Sequence, residues 1–334
     1  AGDLYDKPVP PAEAVMVLDT FLTRLAKMNI PVLIISGNHD SAQRLAFGAS
    51  LMSSRGIYIS PVYDGEVKKI CLRDSWGEVW VYLLPFLKPA LVRHAFEQEE
   101  VESYQDALAL AIGRMDVDTK KRNVLVAHQF VTGASRCESE EVTVGGLDQV
   151  GVSLFDIFDY VALGHLHSPQ QIGRETVRYC GTPLKYSFSE VNQEKSITVT
   201  ELLEKGTVHV RQIPLKPLRD MRKIRGSYLE VTAKSFYDGT NTEDYVQITL
   251  TDEEDILDGL QKLRVIYPNL MRLEYDNRRT KESKDITGTS QVEQKTQLEL
   301  FEEFYRLQNN QSMSRQQSEF IKRLFEQVRQ EEET

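Results

Sequence analysis

The chain has 334 residues, 41% of them hydrophobic, and carries 50 Asp and Glu against 40 Lys and Arg for a net charge of −10. That length supports more than one domain with its own core, and the acidic balance argues against a surface that coats nucleic acid broadly. The three cysteines, Cys71, Cys137 and Cys180, are too far apart for a disulfide framework or a CxxC knuckle, and no apolar run reaches the length of about eighteen residues that a membrane span needs.

The opening "AGDLYDKPVP" has no signal-peptide pattern and reads as the end of a strand and its loop, as though cut from within a domain. Residues 11–28 start at Pro11 and place apolar side chains at helical spacing, which predicts a helix. "IPVLIIS" (30–36) has the continuous apolar character of a buried parallel strand. "GNHD" then leads into "SAQRLAFGASLM", where Asp40 and Gln43 have capping-box spacing; a helix over 41–54 capped by Asp40 is expected. "GIYIS" reads as a strand, and residues 64–86 as two strands joined near "DSWGE". A helix around 101–115 precedes "RNVLVAHQF" (122–130), a strand ending in a histidine. "SLFDIF" predicts a short helix, "DYVALGHLH" a strand running into its loop, and three more strands follow to residue 214. Strands separated first by helices and later by hairpins indicate a layered α/β fold with a mixed sheet over 1–214.

A second region, 215–276, carries "YLEVTA", "YVQITL", the helix-like "EEDILDGLQKLRVIY" and "LMRLEYD", and reads as a small strand–strand–helix–strand module. Residues 277–295 are polar and charged, as in a linker. Beyond them, 296–330 hold two amphipathic helices with apolar residues at i, i+3, i+4 spacing. Such a pair needs something to bury its faces, and a partner protein is the expectation, with packing back on its own body the alternative.

Chemistry concentrates where apolar runs end. The chain has six histidines, and two of them, His165 and His167, fall in "ALGHLHSPQ" (162–170). His128, Asn38 and His39 also follow strands, and Asp3 holds the same kind of position. In an open α/β sheet the carboxyl ends of neighbouring strands form one rim, so these residues can converge. His165 and His167 flank Leu166, so an extended chain would point both imidazoles to one side and Leu166 to the core. Imidazole nitrogen with carboxylate and amide oxygen suits manganese, iron or zinc rather than calcium. Asp3 is the natural bridging carboxylate between two cations, and Asn38 can add a carbonyl ligand without charge. His39 can hydrogen-bond a phosphate or protonate a leaving group, or be a satisfied structural histidine. His94 and His209 read as structural or surface residues.

These residues resemble the calcineurin-like metallophosphoesterases: "GD" at 2–3, "GNHD" at 37–40, His128 and "GHLH" at 164–167 stand in that superfamily's order. Across nearly the whole chain, "AGDLYDKPVPP", "ISGNHDSAQRL", "VALGHLHSPQ" and "YCGTPLKYSFSE" are similar to the bacterial SbcD (Mre11-like) nuclease subunits. The resemblance implies a metallophosphoesterase β-sandwich flanked by helices, a small α/β capping domain that orients DNA, and a C-terminal helical pair. It implies two divalent ions, usually Mn2+, with Asp3 bridging, His167 on the first ion and Asn38, His128 and His165 on the second. His39 becomes the catalytic histidine that is not a ligand. The activity implied is 3′–5′ exonuclease and hairpin or blocked-end endonuclease action on DNA in repair and recombination. A bacterial, cytoplasmic and nucleoid-associated setting follows. The alternatives are an esterase of small phosphoesters or cyclic nucleotides, and a non-catalytic scaffold subunit.

By the same resemblance, Val17, Leu18, Phe21, Leu25, Leu45 and Leu51 belong to a homodimer contact, unless some of them simply cover the sheet. Leu300, Phe301, Phe304, Phe320, Leu324 and Phe325 would dock an SbcC-like (Rad50-like) ATPase; no Walker motif occurs in this chain. Arg44, Lys88, Arg136, Lys185 and Tyr186 are candidate DNA contacts, and no membrane partner is expected. The family's D-x-H motif, which supplies an Asp and a His to the first ion, has no counterpart ahead of Asp3. The 334 residues alone are therefore expected to hold that ion weakly and to show little nuclease activity with manganese, which a standard DNA-end digestion would check.

Overall fold

The computed structural model describes residues 1–137, 140, 149–278, 297–309 and 311–332. The chain divides into two units, Ala1–Pro217 and Leu218–Thr334. The first begins with helix α1 (Ala12–Lys27), strand β1 (Val32–Ile34), short helices α2 (Ala42–Leu45) and α3 (Ala49–Ser53), and strand β2 (Ile57–Ile59). Next come β3 (Lys68–Asp74), β4 (Gly77–Leu83), α4 (Pro89–Ala95), α5 (Tyr104–Gly113) and β5 (Arg122–His128). Short strands β6 (Phe130–Val131) and β7 (Gln149–Val150) precede β8 (Tyr160–Gly164), β9 (Gln170–Ile172), β10 (Arg174–Tyr179), β11 (Ser196–Leu202) and β12 (Val208–Pro214).

A six-stranded mixed sheet in the order β3-β4-β5-β8-β10-β9 forms the centre of this unit. Strands β4, β5, β8 and β10 run parallel, while β3 and β9 are antiparallel at the two edges. Successive side chains leave a strand on opposite faces, and β5 shows both faces buried: Leu125 and Ala127 join one cluster, Val124 and Val126 the other. The first cluster includes Ala107, Leu108 and Ile112 of α5 and Phe155. The second takes Ile35 after β1 and Leu202, Val208 and Val210 from the β11–β12 hairpin. Because the central strands are parallel, their carboxyl ends share one edge, and His128 and Gly164 end two neighbours, β5 and β8.

The expected helix over 41–54 is interrupted. Gly48 takes φ +72° between α2 and α3, and Ser41 rather than Asp40 caps α2, accepting the Arg44 N–H. Helix α4, with Pro89 in its first turn, has no counterpart among the elements expected from the sequence.

In the second unit, β13 (Met221–Gly226), β14 (Tyr245–Leu250) and β15 (Leu270–Tyr275) form a three-stranded sheet, parallel throughout. Helices α6 (Tyr228–Thr232) and α7 (Lys234–Tyr237) link the first two strands, and α8 (Gly259–Arg264) lies between the last two. "YLEVTA" is therefore mostly helix and not the expected strand. Ser227 and Glu230 form a capping box that starts α6, and this local hydrogen bonding overrides the β-branched character of Val231 and Thr232. Helices α9 (Gln297–Asn309) and α10 (Arg315–Glu332) meet through Phe301 and Phe325, with ring centroids 6.0 Å apart, and through a Ser318–Glu302 hydrogen bond. Most of the expected linker, 279–295, lies outside the described residues. Among the described residues, no helix is long and apolar enough to cross a membrane.

One buried hydroxyl ties β10 to the segment beyond His128. Tyr179 Oη accepts the Val131 N–H at 2.9 Å and donates to the Gln129 carbonyl at 2.7 Å. Removing it would orphan both groups away from water, at roughly 1–3 kcal/mol for each buried group. Tyr179→Phe is accordingly expected to lower unfolding stability by about 2 kcal/mol or more in urea, and a loss below about 0.5 kcal/mol would count against this bracing.

Candidate metal centre

Four of the residues singled out from the sequence come together at the carboxyl edge of the sheet. Asn38 Oδ1 lies 2.9 Å from His128 Nε2 and 3.0 Å from His165 Nδ1, and Asp3 Oδ2 lies 3.1 Å from the same His128 nitrogen. Among the described residues, one ligand atom each from Asp3, His128 and His165 fall within 4.8 Å of one another, an arrangement able to hold a metal ion. Atoms bonded to one ion at about 2.1 Å stand roughly 3 Å apart when the bonds meet at right angles, so the observed spacings fit a single divalent ion. The donor set is one carboxylate, one amide oxygen and two imidazoles, which suits a transition metal or zinc.

Hydrogen bonding orients these ligands. His128 is 1% exposed, and its Nδ1 meets the Ala1 carbonyl at 2.7 Å. A carbonyl only accepts, so Nδ1 carries the proton for it, and Nε2 faces the oxygens of Asp3 and Asn38. Phe86 and His165 pack edge-on against the His128 ring, at centroid distances of 5.9 and 5.2 Å. Burial raises the pKa of Asp3, but the hydrogen bond and charge of a doubly protonated His128 ring and the His39 N–H outweigh it, and with that ring charged the carboxyl titrates below its ordinary value. The stability this contributes is complete above the ordinary carboxylate pKa and is lost as pH falls through the lowered one.

Backbone crossings bring the segments together. A Cβ on Gly37 would overlap Asp3, and one on Gly164 would overlap the Ala1 carbonyl, so only glycine permits these approaches. Asp40, expected as a helix cap, instead accepts the N–H groups of Leu4 at 3.1 Å, Tyr5 at 3.0 Å and Gly37 at 2.9 Å. It staples the Asp3 turn to the Asn38 turn. His39 contributes its backbone N–H to Asp3 Oδ1 at 2.9 Å, while its ring Nδ1 faces the Asp6 carbonyl at 3.0 Å, so Nε2 is the nitrogen left for proton exchange.

The extended arrangement expected for "HLH" does not form. His165 adopts φ +104°, which turns its ring toward His128 and Asn38. Leu166 is buried as expected, but His167 Nδ1 lies 2.9 Å from Glu190 Oε1, outside the Asp3–His128–His165 cluster. Glu190 is itself paired with Lys195 at 2.6 Å, and neither was flagged from the sequence, since no local spacing marks them.

The other candidates are dispersed. Arg44 and Lys88 are exposed, and Lys88 precedes α4. Arg136 stacks over Phe130 with its guanidinium carbon 3.4 Å from the ring centroid, Lys185 donates to the Val191 carbonyl, and exposed Tyr186 packs edge-on to His167. Val17, Phe21 and Leu51 are exposed; Leu18 and Leu25 are half-buried, and Leu45 packs against Ile34 of β1 and Ile57 of β2. Phe301 and Phe325 meet each other, Leu300 is half-buried, and Phe304, Phe320 and Leu324 are exposed.

Residues 217–309 match the family profile described as the Type 5 capsule protein repressor C-terminal domain. Over 328 residues the chain is 34% identical to the SbcD subunit of the nuclease SbcCD from Staphylococcus epidermidis (strain ATCC 12228 / FDA PCI 1200), an alignment covering 97% of this chain and 86% of that protein.

The Asp40 staple has a direct readout. Each backbone N–H bound to a carboxylate is worth about 1.5 kcal/mol or more, which is roughly tenfold in local opening. Asp40→Ala is expected to speed hydrogen exchange at the Leu4, Tyr5 and Gly37 amides by about tenfold, and unchanged protection there would contradict the staple.

Proposed function

Because the chain belongs to the SbcD family of bacterial nuclease subunits, within the calcineurin-like metallophosphoesterases, we propose that it hydrolyses phosphodiester bonds at DNA ends with two divalent ions, manganese foremost. The convergence of Asp3, Asn38, His128 and His165 on one point carries this reading. Bound there, the ions would activate water for attack on phosphorus and offset charge on the leaving oxygen. Asp3 would hold an ionised carboxylate for both ions, Asn38, His128 and His165 would serve one of them, and His167 would serve the other. His39 holds its Nδ1 proton against Asp6 and uses Nε2 to move a proton at the phosphate or leaving oxygen. Phe86 and Phe130 flank the imidazoles with apolar surface that limits water.

On the same reading, 1–214 is a sandwich-type nuclease domain, 215–276 a DNA-capping domain, 277–295 a linker and 296–330 a helical pair that docks an SbcC-like ATPase. The exposed Phe304, Phe320 and Leu324 support the docking face. The exposed Val17 and Phe21, with Leu51 at 80% exposure, support self-association. Arg44, Lys88, Arg136, Lys185 and Tyr186 would contact DNA without reading bases, so binding should weaken as salt rises.

Two measurements test the reading. Manganese titration of the 334-residue chain should show binding that His128→Gln weakens by at least tenfold; no binding to the unaltered chain would defeat the proposal. In a duplex-DNA end digestion with manganese, His128→Gln should slow whatever cleavage the unaltered chain supports by on the order of 100-fold. Cleavage of a chromogenic phosphoester without cleavage of DNA would point instead to a small-substrate esterase.

A further inference from the structure

A buried ion pair braces the turn that carries His167, and the chemistry proposed above does not call on it. Glu190 has no exposed surface and Lys195 is 5% exposed. One Glu190 oxygen lies 2.9 Å from His167 Nδ1, and the other lies 2.6 Å from Lys195 Nζ and 3.4 Å from the Tyr186 N–H. Lys195 Nζ also lies 2.8 Å from the His167 carbonyl, 2.8 Å from Thr182 Oγ1 and 2.7 Å from Gln193 Oε1. An ammonium has three protons, so these four acceptors share them, and each is held close. His167 is further fixed through its N–H, which donates to Glu140 at 2.6 Å.

We infer that Glu190 and Lys195 are positioning residues that lock His167 as the Nδ1–H tautomer and aim its Nε2 at a metal ion. The inference rests on the reading of His167 as a ligand. A carboxylate paired with an ammonium accepts only, so the imidazole nitrogen facing Glu190 bears the proton and the opposite nitrogen keeps its lone pair. Lys195 matters to this because it balances the Glu190 charge. The pair orients the ring without adding a net negative charge beside the cations.

A merely structural role explains less. Buried ion pairs add little net stability over well-packed apolar residues of the same volume, so stability alone gives no reason for one here. Nor does stability require that one carboxylate oxygen be directed to an imidazole while the other takes the ammonium. One branch of the network runs from Lys195 through Glu190 to the His167 ring.

The test needs no catalytic activity. In the full chain labelled with 15N-histidine and freed of metal, the ring resonances of His167, assigned by His167→Gln, should report Nδ1 protonated and Nε2 bare. An Nε2–H form, or an even mixture, overturns the inference. Glu190→Gln should shift the ring to a mixture and weaken binding of zinc, used as a diamagnetic probe and followed at the His167 ring up to concentrations that fill this weaker position, by about 10–100-fold. Unchanged tautomer and affinity in a folded Glu190→Gln protein also overturn it. If that variant does not fold, the unaltered protein still decides the tautomer. Zinc addition separates the two levels of the argument. A shifted Nε2 resonance supports His167 as a ligand. Shifts at His128 and His165 with none at His167 would remove that ligand reading, and the purpose of the lock with it.

Discussion

Three pieces of backbone pass so close to one another that side chains are excluded at the crossings. The segment bearing Asp3 lies against Gly37, and the Ala1 carbonyl lies against Gly164. Everything at the candidate centre depends on this proximity. It brings a carboxylate from residue 3, an amide from residue 38 and imidazoles from residues 128 and 165 to separations of about 3 Å. The parallel strands make the approach possible by ending at one edge, and the glycines let the loops above that edge nearly touch.

Such an arrangement is strained and must be held. Asp3 and His165 both have positive φ, at +51° and +104°, where residues with a Cβ are uncommon. Residues keep such conformations when surrounding contacts over-determine them. Asp40 does this for the first turn by accepting three N–H groups from two segments. The His165–Asn38 contact and the burial of Leu166 do it for the second. The supporting charges thus sit one layer out from the ligand atoms. The cluster presents a single carboxylate beside an amide oxygen and two imidazoles, a balance that would leave a bound cation electrophilic.

The second unit follows a different logic. Its parallel sheet with Val246, Ile248 and Leu250 at its centre encloses its own core, with Tyr267 buried and donating to the Val231 carbonyl. The two C-terminal helices bury Phe301 against Phe325 and leave other apolar side chains in water. Two helices of this length have one mutual seam, and the apolar residues off that seam find no cover in each other.

Much of this was legible in the residues. Runs such as "NVLVAH" and "DYVALG" announce buried strands, and the polar residues just beyond them stand on the rim, because strand periodicity and strand direction are local properties. The helix over 12–27 and the C-terminal pair were equally plain from apolar spacing. Local rules misread Asp40, because cap spacing says nothing of N–H groups 35 and 36 residues away that compete for the same carboxylate. They misread "YLEVTA" because strand-favouring side chains carry less weight than a satisfied capping box. They gave no sign of Glu190, whose partner His167 lies 23 residues earlier. The order and identity of the converging groups were set by the sequence alone. The divergence of His167 from His165, which follows from the positive φ of His165 itself, and the partners that orient each ring, were decided only by the tertiary structure, since a hydrogen bond between distant segments exists only once the backbone has brought them together.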